Sequence, residues 1–380
     1  MATTSKCLYR GSLPVVGTWT SRTLPASANW ISVAYGNGLF VTVTYGGTAA
    51  ASSPDGITWT ARTLPSSQSW ISVAYGNGLF VTVAQSSTAA ASSPDGITWT
   101  ARTLPSSQSW QSVAYGNGLF VAIATSSASA ATSPDGITWT TRTLPSAAAW
   151  SSVTYGNGLF VAIAGGSTSA ATSTDGITWT ARTLPSSLSW TSVTYGNGLF
   201  VAVAQGTSSA ATSPDGITWT TRSMPASLTW NSVTYGNGLF VAVATSQTAA
   251  ISSDGINWTI RSMPASGSWY SVAYGNGAFA AVVFGSAAAA SSGGTALLYT
   301  VPAATTTIVT DVVIVNSATA SATSVTLQLD GVDLLGQSAI PASSNLILSP
   351  RQVLDSGKTV KISTAGGSAV TVHMTGIEIS

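Results

Sequence analysis

Trp30-Ile31-Ser32-Val33-Ala34-Tyr35-Gly36-Asn37-Gly38 opens a unit that closes on Ser53-Pro54-Asp55-Gly56-Ile57-Thr58-Trp59, and the chain repeats it with few changes. The tyrosines Tyr35, Tyr75, Tyr115, Tyr155, Tyr195, Tyr235 and Tyr274 mark seven copies of the opening. Their spacing is 40 residues five times and then 39, one residue being missing before Asp254. A fixed period of this length belongs to a repeat architecture, and strand-and-turn content at about 40 residues per unit predicts a propeller blade.

Within the first unit, Trp30 to Tyr35 is aromatic and β-branched, the composition of a strand. Asn37-Gly38 tolerates the positive φ angles that a tight hairpin turn demands, so Leu39 to Val43 returns as a second strand. A small-residue strand is expected near 49–53. Asp55-Gly56 then makes another tight turn, its carboxylate placed to accept from the backbone two residues on. Ile57 to Thr63 is expected as the fourth strand, with Leu64-Pro65 breaking it. Four antiparallel strands per unit predict an all-β fold, a seven-bladed β-propeller over residues 17–292. Thr18-Trp19-Thr20-Ser21-Arg22-Thr23-Leu24-Pro25 repeats the fourth strand alone, whereas Trp269 to Ser292 supplies three strands and no fourth. The N-terminal strand is therefore expected to complete the last blade and remove an open sheet edge. Residues 1–16 are expected as an N-terminal arm and 293–380 as a C-terminal β-sandwich.

Only 6% of the residues are charged, with 12 basic and 11 acidic side chains in 380. A soluble domain averages about 25%. Without a basic field to hold phosphates, nucleic acid is not an expected partner. No apolar run approaches the roughly 20 residues that span a bilayer as a helix, so membrane insertion is not expected either. The single cysteine, Cys7, excludes an internal disulfide framework, and the single histidine, His373, lies in an alternating stretch expected to be a strand. No metal site and no cofactor are expected from this inventory.

The stretch Ser53 to Trp59, with its copies around Asp95, Asp135, Asp175 and Asp215, resembles the Asp-box of sialidase-type propellers, lacking one residue between Asp and Gly. The resemblance implies the fold, since Asp-boxes are structural turns. Sialidase-like catalysis would need converging arginines, a Tyr–Glu pair and an acid–base aspartate, and glycoside hydrolysis in general needs two carboxylates. The repeat region contains no glutamate. Its aspartates, Asp55, Asp95, Asp135, Asp175, Asp215 and Asp254, all occupy the turn position. Arg22, Arg62, Arg102, Arg142, Arg182, Arg222 and Arg261 likewise occupy one repeat position, expected on the outer strand as gatekeepers against edge pairing. Charges repeated in every blade form a ring and do not converge, so the protein is not expected to be an enzyme. The tryptophans are expected in the core.

Two positions differ from copy to copy. One reads Tyr45, Gln85, Thr125, Gly165, Gln205, Thr245 and Phe284. The other follows the first tryptophan and reads Ile31, Ile71, Gln111, Ser151, Thr191, Asn231 and Tyr270. Both are expected on the face opposite the Asn-Gly and Asp-Gly turns, where loops on a rigid scaffold carry function. Tyr45, Gln85, Gln111, Gln205, Asn231, Tyr270 and Phe284 are the candidate ligand or receptor contacts, suited to a neutral sugar or a protein surface.

Beyond Gly293, strands are expected at 296–301, 307–315, 324–329, 345–348, 359–363 and 370–379, with turns at Asp330-Gly331 and Asp355-Ser356-Gly357. Leu298-Tyr299-Thr300-Val301-Pro302, Val312-Val313-Ile314-Val315-Asn316, Leu327-Gln328-Leu329-Asp330-Gly331 and the run Val370 to Ile379 resemble small sandwich domains of bacteriophage tail and virion proteins. That resemblance implies a virion component, assembled in the host cytoplasm with other virion proteins. A tail fibre, spike or head fibre is expected, homo-oligomeric and by preference trimeric, its propeller touching a host glycan or protein. The alternatives are a capsid decoration protein without a receptor and a sialidase-like, glycan-cleaving enzyme.

Overall fold

The computed structural model describes residues 19–292 with their side chains, and outside them the backbone of the strands named below. The turns expected at Asp330-Gly331 and Asp355-Ser356-Gly357, and the side chains of Cys7 and His373, lie outside the described residues. The chain divides into two compact units, Thr20–Ser291 and Met1–Trp19 with Ser292–Ser380.

The first unit is all-β and built from repeated four-stranded antiparallel sheets, the architecture of a β-propeller. One sheet runs Trp110–Gly116, Leu119–Ala124, Ser127–Ser133 and Thr140–Ala148 in sequence order. The units beginning at Trp150, Trp190 and Trp230 repeat it. In the earlier units a fourth strand runs without interruption into the next unit's first, as in Thr60–Gly76, so the sheets are joined there. First strands of neighbouring sheets lie side by side, which places them innermost.

The core lies between sheets. Val121 and Ile123 of one sheet pack on Trp150, Val153 and Phe160 of the next, and Val161 and Ile163 repeat this against Trp190 and Phe200. Trp30, Trp70, Trp110, Trp150, Trp190, Trp230 and Trp269 are at most 1% exposed. Burying a ring of roughly 200 Å² contributes about 5 kcal/mol gross. Between the sheets, the hydroxyl of Ser72 accepts the Val113 N–H at 3.1 Å and that of Ser112 accepts the Val153 N–H at 3.2 Å. The same tie recurs from Ser32 to Val73, from Ser152 to Val193 and from Ser192 to Val233.

The Asn-Gly turns form as their sequence requires, with Asn117 at φ 47° and Gly118 at φ 76°. The fourth strand differs from expectation. It starts at Thr60, not Ile57, because Asp55 Oδ1 takes the N–H groups of Ile57 and Thr58 and holds both residues in the turn. Nor does Leu-Pro break it: Thr100–Gln108 runs through Leu104-Pro105. The pairing jumps there from Ala89↔Thr103 to Ser87↔Gln108, and a bulge on an outer strand is a place where proline's missing N–H costs nothing.

The second unit holds two antiparallel sheets. One orders Thr3–Ser12, Val370–Ile379, Thr306–Asn316 and Ser344–Leu348, with Gln352–Leu354 also pairing Thr306–Asn316. The other orders Ala296–Thr300, Thr359–Ala365, Ala322–Leu329 and Val332–Ile340. Residues 1–16, expected as an arm, thus contain a strand that pairs Thr3 with Ile379 and Ser12 with Thr371. Val332–Ile340 and Gln352–Leu354 are strands beyond those the sequence pattern suggests.

Candidate functional site

Each first strand carries a bulge directly after its tryptophan. Trp110 pairs with Ala124 and Ser112 with Ile123, which leaves Gln111 as the extra residue. The same shift stands in the other units, at Ile31, Ile71, Ser151, Thr191, Asn231 and Tyr270. A bulge frees its extra residue from the ladder and re-aims its side chain. The tryptophan before it is pinned, the Trp110 Nε1–H donating to Ser106 O at 3.2 Å. The variable position that carries Tyr45, Gln85 and Gln205, the second of the site, is held by its backbone, as Gln85 N donates to Ser69 O and Gln205 N to Ser189 O, both at 2.9 Å. Neither position needs a particular side chain to keep the sheet, so both can vary.

Five of the seven candidates come together. Tyr270 and Gln111 from the bulges, with Tyr45, Gln85 and Phe284 from the second position, line a cavity of about 230 Å³. Ile31 and Ile71 line it too. Sequence reasoning placed both isoleucines at the variable position but not in the site; their shared register with Gln111 was the available signal. The rings of Tyr270 and Phe284 are 5.6 Å apart and inclined by 37°. Gln85 Nε2 donates to Gln111 Oε1. Burial, and then the nearby Tyr45, push the Tyr270 phenol above its ordinary value, so it stays neutral. No lining residue carries a charge.

Gln205 and Asn231 lie elsewhere and serve the scaffold. Asn231, 9% exposed, donates from Nδ2 to Trp269 O at 2.8 Å and to Thr245 Oγ1 at 3.1 Å. Gln205 Nε2 in turn donates to Asn231 Oδ1 at 3.3 Å. Thr191 and Ser151, at the same bulge position, donate to the carbonyls of Trp230 and Ile163. Along this stretch the bulge side chains are satisfied by the protein itself.

The repeated charges are structural ties. Asp135 Oδ1 accepts from Ile137 N, Thr138 N and Ser133 Oγ, each at 2.9 Å, at the opposite strand ends from the cavity. The Thr138 N–H is the largest cause holding the Asp135 carboxyl below its ordinary value, against burial; Asp95, Asp175 and Asp215 follow suit. Burial pushes the Asp254 carboxyl up, yet bonds from Asn257, Ile256 and Ser252 bring it lower still. Arg62 and Arg102 donate from Nε to Ser52 and Ser92 on the third strand, both at 2.9 Å. Among the described residues, no three of His, Cys, Asp or Glu come together as a metal-binding group.

Comparison with known proteins agrees with this architecture. The DUF6242 beta propeller domain matches residues 102–227. The fold is a β-propeller. A streptogramin B lyase structure superposes with a TM-score of 0.66 at 10% identity, over 72% of this chain and 96% of that one. A catalytically inactive virginiamycin B lyase from Staphylococcus aureus, with quinupristin, gives 0.65 at 11% identity over 72% and 99%. YCF48 from Cyanidioschyzon merolae gives 0.58 at 14% identity over 72% and 98%. At these identities the likeness concerns the fold alone. No curated protein sequence matches the chain.

Proposed function

We propose that this chain is a virion structural protein, a tail fibre, spike or head fibre, that touches the host through the propeller face bearing the cavity and does no catalysis there. The observation that carries the reading is the convergence of Tyr45, Gln85, Gln111, Tyr270 and Phe284 on one cavity within an otherwise uniform repeat. Aromatic rings and amides give contact area and directional bonds without the desolvation cost of a charge. The virion setting rests on the sequence resemblance of residues 293–380, and their two antiparallel sheets suit a sandwich that anchors or oligomerises the chain.

The finer architecture we propose is seven blades closed by the N-terminal strand. Trp19–Gly36 neighbours Ala278–Gly293 in its sheet, and Arg22 Nε donates to Ser291 Oγ as Arg62 does to Ser52. Val33 N donates to Ser271 Oγ, continuing the serine ties from last unit to first. Ala280 and Val282 share a core with Leu24, Trp30 and Phe40.

Absence of catalysis is supported by the cavity's lining, which offers no carboxylate, histidine or cysteine. The inactive lyase variant has a histidine replaced by alanine, and residues 20–291 of this chain contain no histidine. Antibody against the chain, applied to intact particles of the virus that encodes it, tests the setting. Labelling of an external fibre or spike is expected. Uniform labelling of the capsid shell would favour a decoration protein, and no labelling would refute the proposal.

A further inference from the structure

We infer that the cavity binds one neutral pyranose ring per chain, packed on Tyr270 and Phe284 and held at its edge by the Gln85–Gln111 amide pair; the inference deepens, and rests on, the recognition reading above. Size comes first. Drug-sized ligands occupy pockets of about 300 to 1,000 Å³, and a cavity of about 230 Å³ has room for a single ring.

Chemistry narrows the class. The lining is aromatic, aliphatic and amide, so a carboxylate, phosphate or ammonium would lose water without gaining a counter-charge. Because Gln85 Nε2 is given to Gln111 Oε1, the pair presents an acceptor, Gln85 Oε1, beside a donor, Gln111 Nε2. Two neighbouring hydroxyls, each both donor and acceptor, satisfy that edge in either orientation. Tyr270 and Phe284 line the cavity with two ring faces inclined by 37° to one another. A flat base or arene would lie along one ring only, whereas a puckered ring turns C–H groups to both. Ile31 and Ile71 add apolar surface beside the rings.

Stoichiometry follows from how the other units use the same positions. Ser151, Thr191 and Asn231 spend their polar atoms on Ile163, Trp230 and Trp269 carbonyls. The site therefore does not repeat with the blades, and binding is one to one.

The test is saturation-transfer NMR and titration of the full chain with methyl glucoside, methyl galactoside and methyl N-acetylglucosaminide, with N-acetylneuraminic acid as the acidic comparison. At least one neutral glycoside should saturate at one equivalent with a millimolar Kd, and the acidic sugar should not bind. Gln111→Ala should weaken binding tenfold or more without lowering Tm. Tyr270→Phe should retain it, and Gln205→Ala should leave it unchanged. Failure of all three glycosides, equal binding of the acidic sugar, or indifference to Gln111→Ala would overturn the inference. Loss of host-cell binding in Gln111→Ala while no glycoside binds would sink the sugar and keep the recognition reading. Glycoside binding with unaltered host attachment would do the reverse.

Discussion

At the scale of the residue, the two glycines of Tyr-Gly-Asn-Gly do different work. Gly78 has φ 75° and open space around it, so its role is the turn. A Cβ on Gly76 would stand 1.9 Å from Tyr115 Cγ, because the next unit's tyrosine lies on that glycine. Gly78→Ala should therefore cost about 1 kcal/mol, the penalty for a left-handed alanine. Gly76→Ala should cost at least about 3 kcal/mol or prevent folding, since overpacking this close cannot relax. Equal melting temperatures for the two variants would contradict the packing. The carboxylates give a pH prediction. Asp95, Asp135, Asp175, Asp215 and Asp254 have folded pKa values below the ordinary one, so their stabilisation is present above about pH 4 and lost as pH falls further. Burial, then Tyr35, raise Tyr274 to about 12, so stability should also fall as pH climbs above about 10. Melting temperature against pH should be level in between; an unchanged value at pH 2 would exclude the aspartate ties. The Asn-Gly and Asp-Gly turns were legible in the sequence because turn chemistry is local. The tyrosine on the preceding unit's glycine was not, because only packing brings residues 39 positions apart into contact.

At the scale of the element, a strand serves the fold with some residues and the face with others. Ser112 ties its sheet to the next through Val153 N, a buried donor. Ser112→Ala should cost about 1 to 3 kcal/mol, the price of leaving such a donor unpaired. The two amides Asn231 and Gln111 share one register position and should behave oppositely. Asn231→Ala should lower Tm, because it removes a buried bond to Trp269 O, whereas Gln111→Ala should leave Tm within a degree or two. Thermal melts of both variants check this; a destabilised Gln111→Ala would make it a scaffold residue. Composition marked both amides as variable and polar. It could not separate them, since the difference lies in the partner each finds, the Trp269 carbonyl for Asn231 and the Gln85 side chain for Gln111. The strand through Leu104-Pro105 was hidden for a related reason: proline signals a break, and only the outer position and bulge make it harmless.

At the scale of the whole molecule, the repeat predicted the propeller because every unit restates the same pattern. The strand Thr3–Ser12 escaped notice because its partner, Val370–Ile379, stands at the far end of the sequence and no local pattern names a partner. That pairing also bears on how closure is tested, since deleting residues 1–25 would take a strand from both units. A cleaner probe is Leu24, 2% exposed, against Leu64, 1% exposed, its counterpart one unit on. If the N-terminal strand seals the ring, Leu24→Ala should destabilise as much as Leu64→Ala, about 2 to 5 kcal/mol. A near-silent Leu24→Ala would open the ring.

The central claim is that one cavity on the variable face makes the contact with the host. Single sites of this size bind weakly, and several copies on a particle multiply attachment by factors of about 10² to 10⁴. The deciding measurement is particle adsorption to host cells with Tyr270→Ala and Gln111→Ala combined, beside Gln205→Ala as the matched change on the same face. The account predicts adsorption reduced at least tenfold by the pair and untouched by Gln205→Ala, with all variants folded. Equal adsorption by the double variant, Gln205→Ala and the unsubstituted protein would contradict it and leave the propeller a structural cap.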